Sequence, residues 1–129
     1  MLKSGILNPQ LLSLLARVRH TNALVIADRG FPFWPMIETV DISLVDGVPS
    51  VLQVLEAVLA GGTYNQAYMA EEFRVHNTPA TRAALEKKIG RVPLQFEPHL
   101  EFKKRVPYAL GLIRTGDTVQ YANMILISG

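Results

Sequence analysis

The sequence predicts an α/β fold: a single-domain, three-layer arrangement with a mostly parallel central sheet and helices on both faces. Three observations carry this. Short apolar runs of strand length alternate with longer stretches whose apolar residues recur at helical spacing. The run Ala23-Leu24-Val25-Ile26-Ala27 is apolar without interruption, as a strand covered on both faces must be. Finally, 129 residues, 49% hydrophobic and 19% charged, suffice for one ordinary core and are too apolar for a disordered chain.

Each element follows from local signals. Asn8-Pro9 starts a helix, with a side-chain oxygen at the N-cap and proline at the first helical position. Leu11, Leu14, Leu15 and Val18 form its apolar stripe, and an end near Arg19 is expected. The strand over residues 23–27 comes next, bounded by Thr21-Asn22 and Asp28-Arg29-Gly30. A loop with Gly30, Pro32 and Pro35, interleaved with Phe31, Phe33 and Trp34, leads to a second strand over Thr39 to Leu44. Asp46-Gly47 is a turn, and Pro49 opens a helix through Leu59 that Gly61-Gly62 stops. A third strand falls within Tyr64 to Phe73, and Thr78-Pro79 starts a helix that Gly90 ends. Val92 to Phe96 alternates as a strand does, Glu97 to Arg105 reads as a short helix, and Tyr108–Ile113 and Asn123–Ile127 as the last two strands. No internal repeat or linker divides the chain, so residues 1–129 are expected to form one domain.

Several function classes drop out on composition. The chain has no cysteine, which removes disulfides, thiolate metal sites and cysteine nucleophiles. Its net charge of +2 is too small to imply nucleic acid. Lys103-Lys104-Arg105 and the run from Arg82 to Arg91 read as solvated helix faces beside acidic neighbours. No Gly-rich phosphate loop and no Gly-x-Ser-x-Gly elbow is present, and His20, His76 and His99 lack the spacing of a metal-binding pair. The longest charge-free stretch, Ala57 to Ala70, is too short and polar to span a bilayer, and Asn8-Pro9-Gln10 interrupts any leader-like run. A cytoplasmic protein with no nucleic-acid or membrane partner is expected.

Three separated segments resemble one family. Gly5-Ile6-Leu7-Asn8, His20-Thr21 and Ile26-Ala27-Asp28 before Gly30-Phe31-Pro32 are similar to the N-terminal signature of the D-ribose pyranase and L-fucose mutarotase family. Val40-Asp41-Ile42-Ser43-Leu44 with Gly47-Val48-Pro49 is similar to its middle segment. Ile113-Arg114-Thr115-Gly116-Asp117 with Tyr121-Ala122-Asn123-Met124-Ile125-Leu126 resembles its most diagnostic motif. The resemblance runs nearly end to end. It implies an enzyme that interconverts ring and anomeric forms of a free monosaccharide without cofactor or metal. It further implies a ring-shaped homo-oligomer, commonly a decamer, with sites near subunit contacts. Position by position, it puts a catalytic histidine on His20 and sugar-binding residues on Asp28, His99, Tyr121, Ala122 and Asn123. The substrate it favours is ribose, converted from β-D-ribopyranose to β-D-ribofuranose. L-fucose, or a noncatalytic sugar-binding, transport-associated role, is the alternative. Three features depart from the pattern: Arg29 stands where a small residue is usual, the sequence stops at Gly129 short of the few apolar residues that commonly follow, and the loop Phe31-Pro32-Phe33-Trp34-Pro35 is bulkier than a plain ribose pyranase leads one to expect.

The residue types suit the chemistry. Opening a hemiacetal takes a proton from the anomeric hydroxyl and gives one to the ring oxygen, and an imidazole titrating near neutrality serves both directions. His20, expected just past a helix C-terminus, sits where the macrodipole favours the proton-donating form. Asp28 follows a buried strand, where α/β sheets place ligands. Tyr121 and Asn123, two apart on an expected strand, point to the same side while Ala122 faces away. Lys103 and Trp34 are weaker candidates for contact with a sugar. Eight extended residues separating His20 from Asp28 span up to roughly 26 Å, far more than one sugar. Either the chain folds back at Thr21-Asn22 or the two groups meet across a subunit boundary; the second is the expectation carried forward.

Overall fold

The computed structural model describes residues 1–129, and its centre is a six-stranded sheet in the order β2-β5-β1-β6-β3-β4. The strands are β1 (Ala23–Ala27), β2 (Glu38–Asp41), β3 (Tyr64–Ala70), β4 (Leu94–Glu97), β5 (Gly111–Arg114) and β6 (Met124–Ser128). β6 alone runs against the rest, antiparallel to both β1 and β3, so the sheet is mostly parallel as expected. Helices α1 (Pro9–Ala16), α2 (Val51–Gly61), α3 (Glu72–His76), α4 (Pro79–Ile89) and α5 (His99–Arg105) cover its faces.

The period of two along the strands divides the core between the faces. Leu24 and Ile26 of β1, Ile113 of β5, and Met124 and Leu126 of β6 pack with Leu14, Leu55, Val58 and Leu85 from α1, α2 and α4. Val25, Ala27, Leu112 and Ile125 point the other way, onto Phe102 and Val106 and onto Phe31 from the loop after β1. β1 is fully buried from Leu24 to Ala27, which explains its unbroken apolar sequence.

The helix starts follow their caps: Asn8 accepts from the Leu11 N–H at 2.9 Å, Thr78 accepts from Thr81, and Ser50 forms a reciprocal capping box with Gln53. Element ends differ from the sequence expectations where side chains outbid the backbone ladder. α1 stops at Ala16 instead of near Arg19, because Asn22 takes the Arg19 N–H at 2.8 Å and Thr21 turns into the left-handed region (φ 69°). β2 stops at Asp41 instead of Leu44: the Asp41 carboxylate accepts from the Ser43 N–H, and residues 44–48 close their own turn. β5 starts at Gly111 because Val106–Tyr108 forms a 3₁₀ turn. α3 was not anticipated: Glu72 and Phe73 fall at the end of the stretch expected to contain a strand, and Arg74 to His76 had no assignment. No helix is long and apolar enough to cross a membrane.

Candidate functional site

Because β6 runs against β1, the residues entering β6 arrive beside the carboxyl end of β1, where Asp28 stands. The carboxyl end of β4 delivers His99 to the same place. The result is an open hollow of about 460 Å³ lined by Asp28, Gly30, Phe31, Pro32, His99, Gln120, Tyr121 and Asn123. It lies beyond the strand ends, where open α/β sheets present ligand sites.

The loop after β1 is held from the C-terminal motif. The Asn123 Oδ1 accepts the Asp28 N–H at 2.8 Å, and the Asp28 Oδ1 accepts from Gly30 at 2.9 Å. The Arg114 guanidinium donates to the carbonyls of Asp28 (3.1 Å), Arg29 (3.3 Å) and Pro32 (3.2 Å), gathering the loop around one rigid fork. Behind it, the Thr115 hydroxyl donates to the Ala27 carbonyl at 2.8 Å, and buried Asp117 accepts from the N–H groups of Val51 and Val119, both at 2.7 Å. Gly116 has no room for a side chain: a Cβ there would lie 2.4 Å from the Val45 carbonyl oxygen and 2.6 Å from that of Val48. These residues were quoted in the motif without roles; the structure gives them architectural ones.

Burial pushes the Asp28 carboxyl above the usual aspartate range, with the Gly30 and Phe31 N–H groups and the Asn123 side chain acting against it and the Asp117 charge adding slightly. His99 shifts the opposite way, downward: burial disfavours its charged form and Lys103, one turn along α5, repels it, while Glu72 and Asp28 oppose both. Both shifts favour uncharged forms. The His99 Nδ1 is buried with no partner in the protein, and its ring stands at 81° to Tyr121 with centroids 5.1 Å apart. A neutral imidazole offers one donor and one acceptor nitrogen. With a carboxyl, a phenol and a carboxamide around it, the hollow provides several donor–acceptor pairs of the kind vicinal hydroxyls require. Three His, Asp or Glu side chains do not converge anywhere as a metal cluster would.

The structure thus brings Asp28, His99, Tyr121 and Asn123 together. Tyr121 and Asn123 do so from a turn, not the strand expected: β6 begins only at Met124, and Tyr121 is left-handed (φ 57°). The Ala122 side chain is buried in the core and lines a separate cavity of about 280 Å³ behind the site, so only its backbone is available to a ligand. His20 is exposed at the other end of β1, beside Thr21 and Asn22, which exchange backbone hydrogen bonds with Ser128. The chain does not fold back there, and with α1 ending at Ala16 the helix-dipole argument does not reach His20. Trp34 is half-buried against Phe31 and does not line the hollow. Arg29 points to Asp46, in an exposed 2.7 Å ion pair.

Sequence reading missed Glu72, whose two carboxylate oxygens accept the His99 N–H at 3.1 and 3.0 Å, and His76, whose ring stacks on Tyr121. Gln120 was also missed. The signal lay in neighbourhood: Gln120 adjoins Tyr121, but nothing local links Glu72 to a residue 27 positions on. A larger hollow of about 500 Å³, between α1, α2 and the ends of β3 and β6, contains Tyr64 as its one titratable side chain and offers no comparable acid–base set.

Comparison with known proteins agrees with the fold and with the family resemblance. The model of the RbsD / FucU transport protein family matches residues 1–129. The chain is 43% identical over 129 residues to a D-ribose pyranase of Geobacillus kaustophilus, covering 100% of this chain and 94% of that protein. A D-ribose pyranase of Laribacter hongkongensis is 42% identical, with 100% and 98% covered. In three dimensions the chain is similar to Bacillus subtilis RbsD complexed with D-ribose, with a TM-score of 0.92, 32% identity, and 100% and 98% of the two chains covered. A fucose mutarotase from Streptococcus pneumoniae shares the fold at a TM-score of 0.80 and 21% identity, covering 95% and 92%. Motifs, fold and full-length similarity coincide, and the chain belongs to the RbsD / FucU transport protein family.

Proposed function

We propose that residues 1–129 act as one sugar mutarotase domain that interconverts ring and anomeric forms of a free monosaccharide, with β-D-ribopyranose to β-D-ribofuranose as its reaction. The observation that carries this reading is the convergence of Asp28, His99, Tyr121 and Asn123, from three separate stretches of chain, on one open polar hollow. Relatives about 40% identical over the whole chain are D-ribose pyranases, and a 32% identical structural neighbour holds D-ribose.

Conversion needs only proton transfers. A base takes the proton of the anomeric hydroxyl as the bond from C1 to the ring oxygen breaks and an acid protonates that oxygen; another hydroxyl then adds to the open-chain aldehyde, giving up its proton as the carbonyl oxygen gains one. Each placed acid or base contributes roughly 10²–10⁴-fold. Asp28, His99, Tyr121 and Asn123, with the Ala122 backbone, bind and orient the sugar; His20 is the catalytic acid–base group.

His20 reaches a hollow only from another copy. β1 separates its own Asp28 from it, and five strand residues span about 16 Å. Leu100 and Phe33, neighbours of His99 and Pro32, are 70% and 71% exposed, apolar surface suited to a contact between copies. The working form is a ring-shaped homo-oligomer, a decamer, in the cytoplasm, each hollow lying near a contact.

Saturation-transfer NMR across a pentose, a 6-deoxyhexose and a hexose tests the activity: ribose exchange accelerates with protein, and His20→Ala abolishes the acceleration. Mixing the inactive His20→Ala and Asp28→Asn variants restores part of the activity if sites are shared. Saturable sugar binding without faster exchange would instead establish a noncatalytic binder.

A further inference from the structure

We propose that α3 is a brace that sets the spacing of His99 and Tyr121, with Glu72 and His76 as positioning residues for the site. The inference rests on the mutarotase reading for what the site binds; the brace itself stands on contacts within this chain.

α3 is a five-residue helix, anchored through Phe73, which is 3% exposed in the core. Glu72 and His76 are four apart and so share one face. At the start of that face, the two Glu72 oxygens accept the backbone N–H of His99, the first residue of α5. α5 has no cap from its own side chains, because its N-cap position is Pro98, so Glu72 supplies from another element what a local cap would supply. At the far end, the His76 ring lies stacked on Tyr121 with centroids 5.3 Å apart and 27° between planes. Asn77, directly after α3, donates from Nδ2 to the Phe73 carbonyl at 2.8 Å and to the Gln120 carbonyl at 2.9 Å. One short helix therefore holds the backbone beneath His99, the ring of Tyr121 and the residue before Tyr121.

Tyr121 needs such holding. A bulky side chain in the left-handed region costs roughly 1–3 kcal/mol and persists only where its surroundings over-determine it. α3 contributes the His76 stack and the Asn77 bond, alongside the His99 ring and the core against which Tyr121 packs. His99 and Tyr121 meet edge to face, so their separation is fixed by where each backbone is pinned, and α3 pins both. The two side chains that grip a sugar are thereby registered against each other before any ligand arrives.

The test compares the full-length wild-type protein with Glu72→Ala, Glu72→Gln, His76→Ala and His76→Phe. Val75→Ala serves as a control, at a 71% exposed position on the same helix. NMR reads the His99 amide shift, the Tyr121 ring shifts and the titration of the His99 imidazole, which faces Asp28, Glu72 and Lys103. Exchange kinetics at varied ribose concentration separate binding from turnover. We expect Glu72→Ala to move the His99 amide upfield and raise half-saturation about tenfold, misplacement by even 1 Å being able to cost more than that. Glu72→Gln, which keeps one oxygen for the N–H, restores most of the affinity while the His99 imidazole titrates at lower pH than in wild type. His76→Ala shifts the Tyr121 ring signals and weakens ribose, and His76→Phe, which keeps the stack, recovers both. If both alanine variants leave the His99 and Tyr121 signals in place, or if Val75→Ala moves them equally, the brace is wrong. If wild-type protein fails to accelerate ribose exchange, the mutarotase reading falls while the amide, ring and titration data still decide the brace.

Discussion

The two halves of the C-terminal motif do different work. Ile113 to Asp117 is almost wholly interior: Thr115 is 0% and Asp117 5% exposed, and their polar atoms go to the backbone of β1, α2 and the motif itself. Tyr121 to Asn123 bounds the open hollow and includes a residue in an unfavourable backbone conformation. A segment that resembles one signature is thus part scaffold and part site. The difference teaches that a motif marks where structure is constrained, and that only burial and partners show which constraint each residue answers.

Substitutions can break that contrast, beginning with the scaffold half. Asp117→Ala leaves the buried N–H of Val51 and the half-buried N–H of Val119 without acceptors and should cost about 3 kcal/mol in urea unfolding. The fraction that remains folded should still saturate with ribose near the wild-type concentration; a collapse of affinity with stability unchanged would erase the distinction. Asn123→Ala crosses the boundary, since this side chain both holds Asp28 and lines the hollow. It should lose about 1–2 kcal/mol of stability and, at the same time, most sugar affinity by titration. Tyr121→Phe sits wholly on the site side: ribose affinity falls up to about tenfold, the loss of one hydrogen bond, while the urea midpoint barely moves, since the ring contacts survive.

The smallest effect is the most diagnostic. Because burial raises the Asp28 carboxyl in the folded state, the native protein holds that proton to higher pH than the unfolded chain does. Stability from this group is therefore lost as pH rises from near 3.8 through the folded value, and neutral solution carries the penalty. Asp28→Asn should accordingly gain a little stability at pH 7, lose that gain below pH 3.8, and abolish sugar exchange. His99 has the opposite sign: lowered in the fold, it leaves stability intact above its ordinary 6.5 and erodes it as pH falls through the folded value. Unfolding curves from pH 3 to 8 separate the two.

Much of the architecture was legible from local chemistry. Asn8-Pro9 and Thr78-Pro79 announce helices that begin where they should, Pro49 announces one that begins two residues later at Val51 because Ser50 forms the cap, and the unbroken apolar run of β1 announces its burial. What escaped was governed by partners distant in sequence. The end of α1 depends on Asn22 closing onto Arg19, and α3 is too short to show a period. The site residues Asp28, His99, Tyr121 and Asn123 came through family resemblance rather than pattern, and the structure gathers them in one place. Glu72 and His76 were invisible because their contacts with His99 and Tyr121 exist only once β3 and β4 lie side by side and β6 has been inserted. The separation of His20 from Asp28 was legible, since a five-residue strand between them leaves no short path.

The central position of β6 has a consequence for how the molecule is made. β6, made after β1 to β5, is the strand that sits between β1 and β3, so the β2-β5-β1 group and the β3-β4 pair stay unjoined until it emerges. Leu24, Ile26, Ala67 and Met69 then have open neighbours where Leu126 and Met124 will later lie. A nascent chain carries two incomplete half-sheets with bare edges, exposed to mispairing until residues 124–128 emerge and zip them together. Joining of the half-sheets and closure of the hollow are consequently one event, since Tyr121 and Asn123, which line it, lead directly into β6.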